Sequence, residues 1–296
     1  MKVLHGTGVA IVTPFDDHLK IDSEALRKVV NHCIEGGVDY LVVLGTTGES
    51  VTLDPGEKKE VARLVVEVNN GRVPLVLGIG GNNTSSVAEE LRSTDLEPFT
   101  AVLSVSPYYN KPTQEGIYMH FKQLAEVSRK PLILYNVPGR TASNILPDTV
   151  VRLAMECPNI IGVKEACGDM DQIKKLLGII PKDFLVISGD DITALPTVMA
   201  GGHGVISVLG QAIPSEFSSM IKLGRQGQGD RSLAIHQKMK AGMALIFEEG
   251  NPAGIKAMLE YQKICSAGVR LPLVEASPLL KKKIGEFVDE VLKMPA

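Results

Sequence analysis

Residues 160–169 read IIGVKEACGD, and the fold is decided on how that run is read. Ile160, Ile161 and Val163 have the composition of a buried strand, yet the run ends on Lys164. Taken alone, a lysine at a strand end reaches solvent or pairs with a carboxylate, and Glu165 is adjacent. The other reading is a desolvated amine that acts as a nucleophile toward carbonyl compounds. The surrounding chain decides between them.

Working outward, similar short apolar runs recur at 8–14, 40–45, 73–80, 100–107, 131–138, 184–190 and 204–210. With the run at 160–166 they make eight strand candidates, starting about 20 to 35 residues apart, one βα unit each. They are continuous rather than alternating, as strands of a parallel sheet covered on its outer face should be. Helical segments lie between them. In the first, IDSEALRKVVNHCIEGG, Asp22 or Ser23 is the cap, apolar residues stand at 26, 29, 30, 33 and 34, and Gly-Gly is the stop. Eight such pairs predict a (β/α)8 TIM barrel over residues 1–225. A doubly wound sheet is the rival, but it rarely needs eight regular units. Residues 226–296 carry no strand pattern and read as three amphipathic helices, a C-terminal appendage packed on the barrel.

Composition excludes several function classes. A net charge of −3 gives no electrostatic case for nucleic acid or an anionic membrane. With no tryptophan and few other aromatics, base-stacking platforms are not expected either. The four cysteines, 33, 157, 167 and 265, form no CxxC pair and suit a reducing compartment. No secretion peptide and no 18-residue apolar stretch is read, so a cytoplasmic location is expected.

In a barrel of this kind chemistry gathers at the C-terminal strand ends. Here those ends read GTTGES, SPYYNKP, YNVPGRT, VKEACGD and SGDD. Lys164 is therefore expected to face the barrel mouth among hydroxyls and glycines, which favours the nucleophile. A metal is not expected, because the six histidines show neither HxH nor HExxH spacing. Asp191 or Asp190 reads as the cap of the helix beginning ITALP, rather than the two as ligands of a divalent ion. GTTGE and GGHG are glycine-rich but match no phosphate-binding motif, so no cofactor is expected.

GTTGES, PYYNKP, YNVPGRT, GVKEACGD, SGDD and GVISV stand in one order along nearly the whole chain. In that order and spacing the sequence resembles the dihydrodipicolinate synthase family of pyruvate-dependent Schiff-base lyases. The resemblance implies a (β/α)8 barrel with a C-terminal helical region, usually a homotetramer built from two tight dimers, with no cofactor or catalytic metal. It implies condensation of pyruvate with L-aspartate 4-semialdehyde, in the diaminopimelate route to lysine. Carried over by position, Lys164 forms the imine, Tyr135 donates and accepts protons, and Thr46 with Tyr109 completes the relay. Thr47 holds the pyruvate carboxylate and Arg140 the carboxylate of the aldehyde. The backbone at Ile206 borders pyruvate, and Gly189 lies near the site. Elementary chemistry agrees with these roles. An amine attacks a ketone only when unprotonated, a state that desolvation favours. Imine formation also needs a hydroxyl in contact to move protons.

The resemblance extends to an effector cleft that binds lysine in many members. Ser50, Asn82 and Tyr108 are retained from it, while Ser86 stands for a glutamate, and Pro55 and Lys58 for two histidines. The rivals within this chemistry are N-acetylneuraminate lyase and 2-keto-3-deoxy sugar acid aldolases. The threonine pair of GTTGE and the arginine of YNVPGRT favour the synthase. From another class, a catalytically silent barrel that binds a ligand is the alternative, and the lysine, tyrosine and threonine set argues against it.

Overall fold

Among the residues described by the computed structural model, 2–292, eight short strands form one parallel sheet that closes on itself. They are β1 (Gly6–Ala10), β2 (Tyr40–Val43), β3 (Leu75–Gly78), β4 (Ala101–Val105), β5 (Leu132–Asn136), β6 (Ile160–Glu165), β7 (Leu185–Ser188) and β8 (Gly204–Ser207). Each pairs with its sequence neighbours, and β8 returns to β1 through Gly8↔Ile206 and Val9↔Ser207. Seven of the expected runs contain their strand, and the first, 8–14, overlaps β1, which begins two residues earlier and ends at Ala10. Closure leaves no free edge, so both faces of every strand are covered and the runs can be apolar throughout.

Two apolar layers result. Ala10, Tyr40, Val42, Leu103, Ile133, Tyr135, Ile161, Ile187 and Ile206 fill the barrel interior. The outward side chains, among them Leu41, Val43, Leu132, Leu134, Val163 and Val186, pack under the surrounding helices. Those helices start where a short polar side chain can take up free backbone N–H groups. Asp22 accepts from Ala25 N ahead of α1 (Ser23–Glu35). Asp54 and Glu57 form a reciprocal capping box around Pro55 at the start of α2 (Pro55–Asn69). Asn83, Thr113 and Asp169 cap α3 (Thr84–Ser93), α4 (Gln114–Val127) and α7 (Met170–Ile179). Between the last two lie the short α5 (Pro138–Thr141), which the strand-and-helix alternation did not anticipate, and α6 (Pro147–Glu156).

Helices α8 (Asp191–Met199) and α9 (Pro214–Arg225) complete the ring. Beyond it, α10 (Gly229–Glu248) packs on α8 and α9, and α12 (Pro278–Leu292) packs on α10 and α11 (Ala253–Tyr261). The middle of these three is shorter than its sequence suggests, because the chain turns at Lys263 with φ 61°. The last, expected to run to residue 294, is described to Leu292; residues 293–296 lie outside the described residues.

Candidate active site

Which way Lys164 points depends on a one-residue slip in β6. Its pairing with β5 begins at Leu132↔Ile160 and then jumps to Ile133↔Gly162, so Ile161 is extra. Strict alternation from Ile161, which faces the barrel interior, would turn Lys164 outward. The extra residue resets the phase: Val163 faces the helices, Lys164 pairs with Tyr135 in the interior, and Glu165 faces out again. Gly162 permits this crowding, since a Cβ there would lie 2.8 Å from Leu185 Cβ and 2.9 Å from Leu185 O.

Lys164 is 4 % exposed, and its Nζ lies 4.2 Å from the centroid of the Tyr135 ring. Glu165, the neighbour a solvated lysine would use, is engaged elsewhere. Its carboxylate accepts from Asn136 Nδ2 at 2.8 and 3.0 Å, from Cys167 N at 2.9 Å and from Gln172 Nε2 at 3.1 Å. Burial pushes this carboxyl above its ordinary range, and those donors offset part of the push. Asn136 follows Tyr135 and Glu165 follows Lys164, so the bond between them ties the two strands directly behind the paired interior residues.

A cavity of about 230 Å³ opens against Tyr135 of this pair. It is lined by Tyr135 and Val137 of the β5 end, by Arg140, by Gly45, Thr46 and Ser50 after β2, and by Tyr108, Lys58 and Glu90. The GTTGE turn is a single 3-10 turn, Thr46–Gly48, between Leu44 at φ 58° and Glu49 at φ 52°. It leaves Thr46 exposed and buries Thr47. Thr13 Oγ1 donates to Gly48 O at 2.7 Å and holds the turn to the strand-one loop. Gly189, after β7, lies against the lysine stem: a Cβ there would be 3.0 Å from both Cγ and Cε of Lys164. Ile206 is buried in the interior layer with Tyr135.

Tyr109 is not part of this cluster. It is 88 % exposed, with φ 73°, and projects into solvent from the loop after β4. Of the residues expected at an effector cleft, Ser50 and Tyr108 line the cavity, while Asn82 Nδ2 donates to Tyr108 O at 3.2 Å. Ser86 is exposed in the first turn of α3, where its N–H donates to Asn83 Oδ1. Lys58 Nζ is 3.8 Å from Glu90 Oε1.

The two aspartates of SGDD have separate duties. Asp190 is the cap of α8, accepting from Ile192 N at 2.8 Å. Asp191 is fully enclosed and accepts from Ser207 Oγ at 2.5 Å and Leu209 N at 2.8 Å, fixing the chain just beyond Ile206. Burial pushes the Asp191 carboxyl up to about 6, against the pull of those bonds. No group of three or more His, Cys, Asp or Glu able to hold a metal occurs among the described residues.

Four polar residues went unnoticed in the sequence. Asn251 Nδ2 donates to Thr47 Oγ1 at 2.9 Å, and Asn251 O accepts from Arg140 Nη2 at 3.4 Å. Beneath the turn, Glu49 and Lys256 form an ion pair of 2.6 Å, both essentially unexposed. Asn136 is the fourth. A polar residue closing an apolar strand, as in LILYN, was the available signal for Asn136. Nothing local marks Asn251 or Lys256, which act across more than 200 residues of sequence.

Residues 3–291 match the profile of the Dihydrodipicolinate synthetase family. A 4-hydroxy-tetrahydrodipicolinate synthase of Flavobacterium psychrophilum is 55% identical over 293 residues, covering 99% of this chain and 100% of that one. A chloride-inhibited dihydrodipicolinate synthase of Acinetobacter baumannii, solved with pyruvate, superposes with a TM-score of 0.94 at 37% identity. That match covers 98% of this chain and 100% of the other. A structure described as a monomeric dihydrodipicolinate synthase variant gives a TM-score of 0.96 at 36% identity, covering 99% and 98%.

Proposed function

Because this chain belongs to the dihydrodipicolinate synthetase family, we infer that it catalyses the reaction of a 4-hydroxy-tetrahydrodipicolinate synthase. Pyruvate is condensed with L-aspartate 4-semialdehyde through an imine on a lysine, a step toward L-lysine. The observation that carries the residue assignment is the inward, enclosed Lys164 against the ring of Tyr135, which lines a cavity together with Thr46 and Arg140.

The Lys164 amine attacks the ketone carbon of pyruvate, and the resulting carbinolamine loses water to give the imine. Tyr135, touching the amine, carries protons onto and off the departing oxygen, with Thr46 passing them on. Loss of a methyl proton from the imine leaves an enamine, whose carbon bonds to the aldehyde carbon. The amino group of the second substrate then attacks the imine carbon, closes the ring and frees Lys164. Thr47 binds the pyruvate carboxylate. Arg140 binds the carboxylate of the aldehyde, a role suited to a planar guanidinium at an open rim. Ile206 and Gly189 set the walls around pyruvate. A coupled assay with pyruvate and aspartate semialdehyde, with sialic acid cleavage run alongside, tests this reading. Turnover of sialic acid in place of condensation would overturn it.

Tyr109 is assigned to a site in a neighbouring subunit of a homotetramer built from two tight dimers. Its exposure of 88 %, on a strained left-handed backbone, supports an aromatic that finds its place outside its own chain. Mixing Lys164→Ala with Tyr109→Phe subunits is expected to restore part of the activity that each lacks. If mixed oligomers form and activity stays at the parental level, Tyr109 acts within its own chain. No helix among the described residues is long and apolar enough to cross a membrane, and the four free cysteines suit the cytoplasm proposed for it.

L-Lysine is expected to inhibit weakly or not at all. Ser86, exposed on α3, stands in place of a carboxylate that would pair with the effector's amine, and Lys58 adds a cation to the cavity wall beside Glu90. Loss of one charge-assisted contact is worth about 1.5–3 kcal/mol. Near-complete inhibition below about 1 mM lysine in a steady-state titration, an affinity scale of roughly 4 kcal/mol, would sink this expectation.

A further inference from the structure

We propose that Asn251 is a positioning residue that commits the hydroxyl proton of Thr47 to the pyruvate carboxylate. The inference rests on the assignment of Thr47 as a carboxylate-binding residue. A threonine hydroxyl has one proton to give and two lone pairs to accept with. Left to itself in a buried turn, it can rotate that proton toward a carbonyl of its own backbone and present only lone pairs to an anion. A carboxylate has no use for lone pairs. Here Asn251 Nδ2 donates to Thr47 Oγ1 at 2.9 Å, and the two residues are 6 % and 2 % exposed. With a donor on one side, the hydroxyl is oriented to donate on the other.

The placement of Asn251 is fixed from behind. It stands between α10 and α11, where Gly254 N donates to Gly250 O and Lys256 N to Pro252 O. Lys256 in turn grips Glu49 at 2.6 Å, two residues beyond Thr47. The amide and the threonine are therefore held to each other through two separate ties, one through side chains and one through this ion pair. The backbone carbonyl of Asn251 also receives Arg140 Nη2 at 3.4 Å, so one residue of the C-terminal region meets both proposed carboxylate-binding side chains. Only the contact to Thr47 uses its side chain, and that separates the two in an experiment.

The experiment is a double-mutant cycle on Thr47→Val and Asn251→Ala in the full chain. Pyruvate KM and aldehyde KM are measured, together with the pyruvate dependence of the borohydride-fixed adduct. Asn251→Ala is expected to raise pyruvate KM about tenfold and to leave aldehyde KM within about twofold, because its carbonyl remains. In the Thr47→Val background, Asn251→Ala should add nothing. A third variant, Asn251→Asp, forces the threonine to donate toward residue 251, and should exceed Asn251→Ala in effect on pyruvate only while Thr47 is present. Multiplying effects in the double variant, or an unchanged pyruvate KM in Asn251→Ala, overturns the proposal and leaves the role of Thr47 standing. An unchanged pyruvate KM in Thr47→Val overturns both. A variant that moves both KM values and kcat together marks Asn251 as scaffold only, which also overturns it.

Discussion

Lys164→Ala is expected to lower the condensation rate by about 10³-fold or more and to abolish the borohydride-fixed pyruvate adduct, with the barrel still folded. Such a loss corresponds to about 4 kcal/mol of barrier or more, the scale of a covalent electron sink that nothing replaces. Folding should survive because the truncation strands no charge. Glu165, the adjacent carboxylate, keeps its bonds from Asn136, Cys167 and Gln172, all on the far side of the strand from the lysine. What remains is a small void under Tyr135, a modest cost beside the core of this barrel. Lys164→Arg should fail equally, since a guanidinium cannot deprotonate to attack a ketone. Circular dichroism checks the fold and intact-mass spectrometry after reduction checks the adduct. A full-sized adduct in Lys164→Ala would move the chemistry to another lysine.

That Lys164 stands at a strand end and faces the barrel mouth was legible from its place in the (β/α)8 order; the local strand pattern that turns it inward was not. Continuous apolar runs survive in β1 to β8 because a closed parallel sheet buries both of its faces, so each strand announces itself without alternation. The same absence of alternation hides which residue points inward. In IIGVKE the phase is set by an extra residue at Ile161, and the only local trace of it is Gly162, where a side chain would meet Leu185. The glycine turn at Thr46–Gly48 was readable for a similar reason, since polar residues packed among glycines at a strand end have few other uses. Asp190 and Asp191 could not be told apart, because a cap and a buried acceptor of loop amides use the same side chain. What separates them is the position of Ser207 and Leu209, sixteen and eighteen residues on. Asn251, Lys256 and Arg270, whose backbone N–H donates to Glu49, reach the turn from a different part of the chain altogether, and no spacing rule spans such a distance.

Lys256→Met is expected to cost about 3–5 kcal/mol of stability and to raise pyruvate KM with it. The ammonium is wholly enclosed: it donates to Glu49 Oε1 at 2.6 Å and Gly268 O at 2.7 Å, and lies 4.1 Å from the Phe15 ring centroid. Burial holds it below the ordinary lysine value in spite of the carboxylate beside it, so desolvation outweighs the attraction and the pair adds little stability as a unit. Breaking it is another matter, because Glu49 would keep a buried charge whose one remaining hydrogen bond among the described residues comes from Arg270 N at 3.0 Å. The double variant Glu49→Met/Lys256→Met removes that stranded charge and should recover most of the loss. Recovery stays incomplete, since Arg270 N and Gly268 O are left without their partners at about 1–3 kcal/mol each. Activity should not follow stability back. Glu49 holds the left-handed corner after Thr46–Gly48, and an apolar side chain gives that turn no reason to keep Thr47 under Asn251. Urea unfolding at one fixed protein concentration, beside pyruvate titrations of both variants, separates the two effects. Lys256→Met within about 1 kcal/mol of the parent would mean that water or a rearranged Arg270 neutralises Glu49, and the ion pair would lose its place beneath the site.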